Sequence, residues 1–139
     1  MSPTAWASRT KVVGVVADGA PGFALSYAAR RPISANVADT IADGLAVRTP
    51  DARALDAILK GAERLVNVSE DEIRAAMRHF YTDTHNVAEG AGAAGIAALL
   101  SGRAGEIAFP CAVVLSGGNI DAAVHAQILK DNGEGTVNG

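Results

Sequence analysis

Four consecutive residues, Ser116-Gly117-Gly118-Asn119, carry the clearest chemical signal in this sequence of 139 residues. The serine offers a hydroxyl, the two glycines are free to adopt positive φ, and asparagine tolerates the left-handed region. The turn follows an apolar run, where ligands of open α/β sheets collect, and it also fits a plain strand-to-helix connection. Two carboxylates stand in unusual settings: Asp43 beside Gly44, and Glu89 ahead of a run of small residues. Each is also readable as a solvated or helix-start acid. His79, His85 and His125 are scattered without metal-ligand spacing, so they read as surface or capping residues and no metal site is expected. Ser116 lacks the glycine spacing of a nucleophile elbow, so a catalytic triad is not supported.

These residues need elements to position them. The run at 111–115, opened by Pro110, reads as a strand covered on both faces, with Cys111 a buried, inert thiol at its start. Residues 11–17 form the first strand by the same logic. Pro21 suits the start of a helix over 22–31, and Pro32 stops it. Asp39 is a possible cap for a short helical turn, which Gly44 keeps short. A helix over 51–60 places Ala54, Leu55, Ile58 and Leu59 on one side, with Gly61 as its stop. Residues 64–68 read as the second strand. Ser69 and Glu72 make a capping box, and Ile73, Ala76, Met77 and Phe80 follow as a core stripe. The chain breaks at His85-Asn86 and restarts as a small-residue helix over 87–100, able to lie close to a sheet or a ligand. Residues 101–109 form a loop, and a last helix runs over 120–130. The order β-α-α-β-α-α-β-α implies an α/β fold with parallel pairing. Three strands make a thin sheet with exposed edges, a hint that part of the fold is absent.

Composition bounds the partners. Twelve basic against fifteen acidic residues give a net charge of −3, with no basic cluster beyond Arg30-Arg31, so nucleic acid is not an expected partner. A single cysteine excludes an internal disulfide. No apolar run reaches membrane-span length and no signal-peptide pattern opens the chain, so a cytoplasmic protein with no membrane partner is expected. By organisation, residues 1–10 read as a flexible lead-in, 11–130 as the folded part, and 131–139 as a flexible tail.

Three segments, taken together, resemble one family: 40–47 (Thr-Ile-Ala-Asp-Gly-Leu-Ala-Val), 89–94 (Glu-Gly-Ala-Gly-Ala-Ala) and 113–121 (Val-Val-Leu-Ser-Gly-Gly-Asn-Ile-Asp). Their words, order and spacing are similar to those of the threonine/serine dehydratases, pyridoxal-phosphate enzymes of the tryptophan-synthase-β-like fold. The resemblance runs from about Lys11 to Lys130. It implies that the partial parallel sheet with flanking helices belongs to the large domain of a fold-type II enzyme. Its cofactor would be pyridoxal 5′-phosphate, and its substrate a small amino acid, threonine or serine. Ser116 would hydrogen-bond the pyridine nitrogen, and Gly117, Gly118 and Asn119 would shape the turn beneath the ring. Glu89 would sit near the ring edge, with Asp43 and Gly44 along the cofactor face. A neutral hydroxyl partner leaves the ring a tempered electron sink, which suits β-elimination better than transamination.

The sequence also departs from that family. Neither the Schiff-base lysine motif nor a glycine-rich phosphate loop is present, and Lys11, Lys60 and Lys130 lie in no such motif, so no catalytic residue is assigned within the chain. Val16 stands where related enzymes carry a cation-binding glutamate. The expectation is a C-terminal part of a catalytic domain, inactive alone, whose complete parent deaminates L-threonine or L-serine to a 2-oxo acid and ammonia. Serine racemisation is the nearest variant. A reading from another class is a non-catalytic remnant or assembly half that joins a partner chain. Self-association into a homo-oligomer is expected from exposed sheet edges. As in the short, catabolic forms, no effector-binding domain is expected after Gly139.

Overall fold

The computed structural model describes residues 10–131. The lead-in expected over 1–10 and the tail expected over 131–139 therefore lie outside the described residues, save for Thr10 and Asp131. Two strands, β1 (Val13–Ala17) and β2 (Arg64–Val68), pair in parallel, with Val13 opposite Arg64 and Ala17 opposite Val68. The crossover between them carries α1 (Gly22–Ala29), a 3-10 turn (Asp43–Leu45) and α2 (Ala52–Gly61). After β2 come α3 (Glu70–Thr84), α4 (Gly90–Leu100) and α5 (Ala122–Lys130).

The pleat sorts the strand residues between two layers. Val15, Ala17, Val66 and Val68 belong to the core shared with α3 and α4. Val12, Gly14, Val16 and Leu65 turn towards Phe23 of α1 and Ile58 of α2. α3 packs along α4, and α5 packs on α3. The expected stripe on α3 is core: Ile73, Ala76 and Met77 are wholly buried and Phe80 packs against them.

Local chemistry sets the helix boundaries. Pro21 sits one residue ahead of α1, and Arg30 ends that helix early in the left-handed conformation, φ 55°. The buried Ser26 hydroxyl ties off the exit by accepting the Ile33 N–H at 2.8 Å. Asp51 caps α2 by accepting the N–H groups of Arg53 and Ala54. Gly61 is the last helical residue, and the extended Ala62 makes the exit. Asp39 does not cap the helical turn, which starts only at Asp43 with Ala42 as the residue before it; the Asp39 N–H donates to the Gly19 carbonyl. His85, in the left-handed region at φ 57°, closes α3.

The Ser69–Glu72 capping box forms in both directions, at 3.2 and 2.8 Å, and Arg103 reaches the same carboxylate at 3.0 Å. Partial burial pushes the Glu72 carboxyl up, but the Ser69 N–H and then the Arg103 guanidinium outweigh it and hold it below the usual carboxylate range. A carboxylate lowered in this way stabilises the fold above its unfolded pKa. That stabilisation fades as pH falls through the folded value. Glu72→Gln is therefore expected to cost stability at neutral pH and to flatten the loss on acidification, read as urea midpoints between pH 7 and pH 3. An unchanged acid slope would remove Glu72 as its source.

The third expected strand is the main correction. Residues 111–115 form no strand and pair with none among the described residues, so the sheet there has two strands. β-Branching favours an extended backbone, but a strand also needs a neighbour to take its N–H and C=O groups. Cys111 consequently is exposed rather than buried. Among the described residues, no helix is long and apolar enough to cross a membrane.

Candidate functional site

The three segments singled out in the sequence meet at the first turn of α4. Glu89 is the residue before that helix, extended at φ −75° and ψ 167°, and its side chain makes no capping bond. Its backbone N–H instead donates to the Gly117 carbonyl at 3.0 Å. The Glu89 carboxylate lies over Gly117, with Oε1 only 2.7 Å from where a Cβ on that glycine would stand. Negative charge here is favoured by the positive end of the helix dipole.

Glycines allow these approaches. A Cβ on Gly92 would fall 2.6 Å from the Gly117 carbonyl oxygen, and one on Gly118 would overlap the Val87 carbonyl oxygen. The turn is therefore held between α4 on one side and the 87–89 backbone on the other. One residue back from Gly92, and roughly 100° around the helix, Ala91 meets the 40–47 segment. A Cβ on Gly44 would stand 3.0 Å from the Ala91 Cβ, and one on Gly90 would stand 2.7 Å from the Ile41 carbonyl oxygen. The small residues of 89–94 are thus what lets one helix end serve both neighbours.

Of the seven candidate residues, Glu89, Gly117 and Gly118 are brought into direct apposition, and Gly44 reaches the same helix turn from another side. Asp43 opens the 3-10 turn with an exposed side chain. Ser116 and Asn119 are exposed, and neither side chain is hydrogen-bonded to another described residue. After the turn, Asp121 caps α5 by accepting the Ala123 and Val124 N–H groups.

Sequence reasoning passed over two supports. Glu70 Oε2 accepts the Ile41 N–H at 2.8 Å, tying the start of α3 to the 40–47 segment. The Val87 carbonyl seats Gly118. Glu70 was legible only as an acid in a helix's first turn, and a backbone carbonyl leaves no side-chain signal.

The remaining candidates lie elsewhere. His79 pairs with Asp83 at 2.8 Å on an exposed face, and its hydrogen bond holds the Asp83 carboxyl below the usual range. His85 is the α3 cap, whereas His125 is buried rather than at the surface, edge-on to Tyr81 with ring centres 5.5 Å apart. Among the described residues, no three His, Cys, Asp or Glu side chains gather as a metal site. Val16, at the position of the expected glutamate, is a buried strand residue. Lys11 and Lys60 are exposed and ion-paired with Glu63 and Asp56, and Lys130 ends α5.

Comparison with known proteins places this geometry. The chain is 34% identical over 122 residues to the L-threonine ammonia-lyase of Thermotoga maritima, covering 88% of this chain and 30% of that protein. It is 34% identical over 120 residues to the catabolic L-threonine dehydratase of Escherichia coli K12, covering 85% and 36%. The chain thus spans about a third of the length of these relatives. Among solved structures it superposes on the T.th. threonine deaminase with a TM-score of 0.75 at 30% identity, over 81% of this chain and 41% of that one. Maize serine racemase gives 0.73 at 25% identity, over 86% and 39%. Residues 3–133 match the family described as pyridoxal-phosphate dependent enzyme. With an exposed serine on a glycine turn braced by one helix start, the chain belongs to the pyridoxal-phosphate-dependent enzymes.

Proposed function

We propose that this chain forms the ring-binding part of a dehydratase that removes water and ammonia from a β-hydroxy-α-amino acid, L-threonine or L-serine. The observation that carries the reading is the convergence of 40–47, 89–94 and the 116–119 turn on the start of α4, with the Ser116 hydroxyl left exposed at its rim. The names of the relatives, L-threonine ammonia-lyase and L-threonine dehydratase, support the substrate class.

The residues fit one part of the cofactor. Pyridoxal phosphate, when bound, supplies an electron sink for the α-carbon of an amino acid. Ser116 would offer a neutral hydroxyl to the pyridine nitrogen, and Gly117 and Gly118 would keep side chains clear of the bound ring. Glu89 holds a carboxylate beside the turn, where it would order the hydrogen bonds at the ring edge. Asp43 and Gly44 border the same helix turn from the other side, and Asn119 completes the turn. The covalent anchor and phosphate loop belong to a portion of the catalytic domain other than this one, so the chain is inactive alone. It works as part of a larger catalytic assembly, within one polypeptide or with a partner chain.

Two results test this. Incubation of the purified chain with pyridoxal phosphate, followed by borohydride, is expected to leave no stoichiometric adduct on Lys11, Lys60 or Lys130 by mass spectrometry. A specific adduct on any of them would place the anchor within this chain. In the complete catalytic domain, ammonia release from L-threonine or L-serine is expected, and Ser116→Ala should lower kcat/KM about tenfold, the loss of one net hydrogen bond. Unchanged turnover would remove Ser116 from the mechanism. The likeness to serine racemase favours one second reading, in which D-serine accumulates faster than ammonia.

A further inference from the structure

The backbone at 39–42, which leads into the 3-10 turn of the site, is gripped from three directions at the carboxyl ends of the strands. From the turn after β1, the Gly19 carbonyl accepts the Asp39 N–H at 2.9 Å, and the Asp39 carbonyl lies so close over Gly19 that a Cβ there would overlap it. From the start of α4, Gly90 meets the Ile41 carbonyl oxygen, 2.7 Å from where its Cβ would stand. From the start of α3, Glu70 Oε2 accepts the Ile41 N–H at 2.8 Å, across 29 residues of sequence. Of the three, only the hold from α3 is made by a side chain.

Glu70 does not behave as a plain first-turn acid. Ser69 and Glu72 on either side of it make the capping box, in which Glu70 takes no part. An acid that merely complements the helix dipole can stay in water. Glu70 Oε1 is instead buried without a hydrogen-bond partner among the described residues, 3.5 Å from where a Cβ on Gly19 would stand. A buried carboxylate oxygen without a donor costs free energy, so the side chain is drawn inward by the Ile41 bond rather than by its surroundings.

We propose that Glu70 is a positioning residue of the candidate site. Through the Ile41 N–H it sets the 40–47 segment against the start of α4, and so fixes where Asp43 and Gly44 meet the helix turn that follows Glu89. The turn it steadies is closed by the Leu45 N–H on the Ala42 carbonyl at 2.8 Å and the Ala46 N–H on the Asp43 carbonyl at 2.9 Å. That this surface faces the cofactor rests on the proposed function; the positioning itself does not.

The test is amide hydrogen exchange of the chain, without cofactor, in Glu70→Ala, Glu70→Asp and Glu70→Gln. Aspartate keeps the charge at the helix start but falls one methylene short of Ile41. Glutamine loses the charge but keeps an oxygen for the Ile41 N–H. Glu70→Ala and Glu70→Asp are expected to speed exchange of Ile41, Leu45 and Ala46 about tenfold more than that of Val15 and Val66 in the sheet, the loss of one hydrogen bond to a charged group. Glu70→Gln should restore the slow exchange. The opposite pattern, with aspartate silent and glutamine fast, would mean that the charge acts rather than the bond, and would overturn the inference. So would equal acceleration throughout the chain, the mark of a general loss of stability, or no acceleration in any variant. None of these readouts involves cofactor or turnover, so failure here is distinct from failure of the role given to Ser116.

Discussion

An alanine at Gly118 or Gly92 is expected to destabilise the chain by about 1–3 kcal/mol, or more, and to loosen the 116–119 turn from α4. Both added methyl groups would meet backbone carbonyl oxygens, that of Val87 at Gly118 and that of Gly117 at Gly92. A carbonyl cannot rotate aside as a side chain can, so the strain is relieved only by sliding the turn away from the helix. That movement breaks the bond from the Glu89 N–H to the Gly117 carbonyl. Two further glycines make the comparison. At Gly95 the methyl would meet the Val113 Cβ at 3.3 Å, a contact relieved by a shift of a few tenths of an ångström in an exposed segment that belongs to no strand, so Gly95→Ala should cost little. At Gly61, the last residue of α2, nothing lies within 4 Å. Gly61→Ala is expected to stabilise by about 0.5 kcal/mol through the entropy glycine loses on folding. Urea midpoints of the four variants should fall in that order, with Glu89 amide exchange accelerated only in the first two. Equal midpoints across the series would mean that the turn is not clamped.

The same glycines show what the sequence could and could not reveal. The words at 40–47, 89–94 and 116–119 were legible as one set, and they meet at one helix start because small residues at Gly90, Ala91 and Gly92 let two backbones come close. Boundaries governed by local chemistry were legible too. Asp51, Ser69 and His85 act through bonds within a few residues, so their neighbours in sequence are their partners in space. The strand at 111–115 was misread because its apolar pattern specifies an extended backbone but not the neighbour that completes a ladder. Cys111 followed it into error, since its burial was inferred from that ladder. Glu70 was hidden for a related reason: its partner, the Ile41 N–H, lies across the fold. A buried His125 beside Tyr81 likewise depends on how α5 meets α3, which periodicity alone does not give.

Ile73→Ala is expected to be the most damaging single change, costing about 2–5 kcal/mol. Ile73 is wholly buried on the first turn of α3, in the cluster that joins Val68 and Met77 to Ala93, Ala94, Ala97 and Ala98. Alanines already at their smallest size cannot lean in to fill a void, and the glycine contacts at the start of α4 hold its backbone in place. The cavity therefore stays open, and the full cavity cost applies. Set against a total stability of about 5–15 kcal/mol, that loss would leave a substantial unfolded fraction at 37 °C. Val124→Ala, at a half-exposed position on α5, should stay within about 0.5 kcal/mol and serves as the reference. The urea midpoint should fall in Ile73→Ala with little change in its slope, the sign of lost stability rather than altered compactness. Because α3 braces α4, and α4 braces the 116–119 turn, exchange of the Glu89 amide should then report global unfolding rather than a local opening. A local opening at Glu89 that persists unchanged in Ile73→Ala would separate the site from the core beneath it.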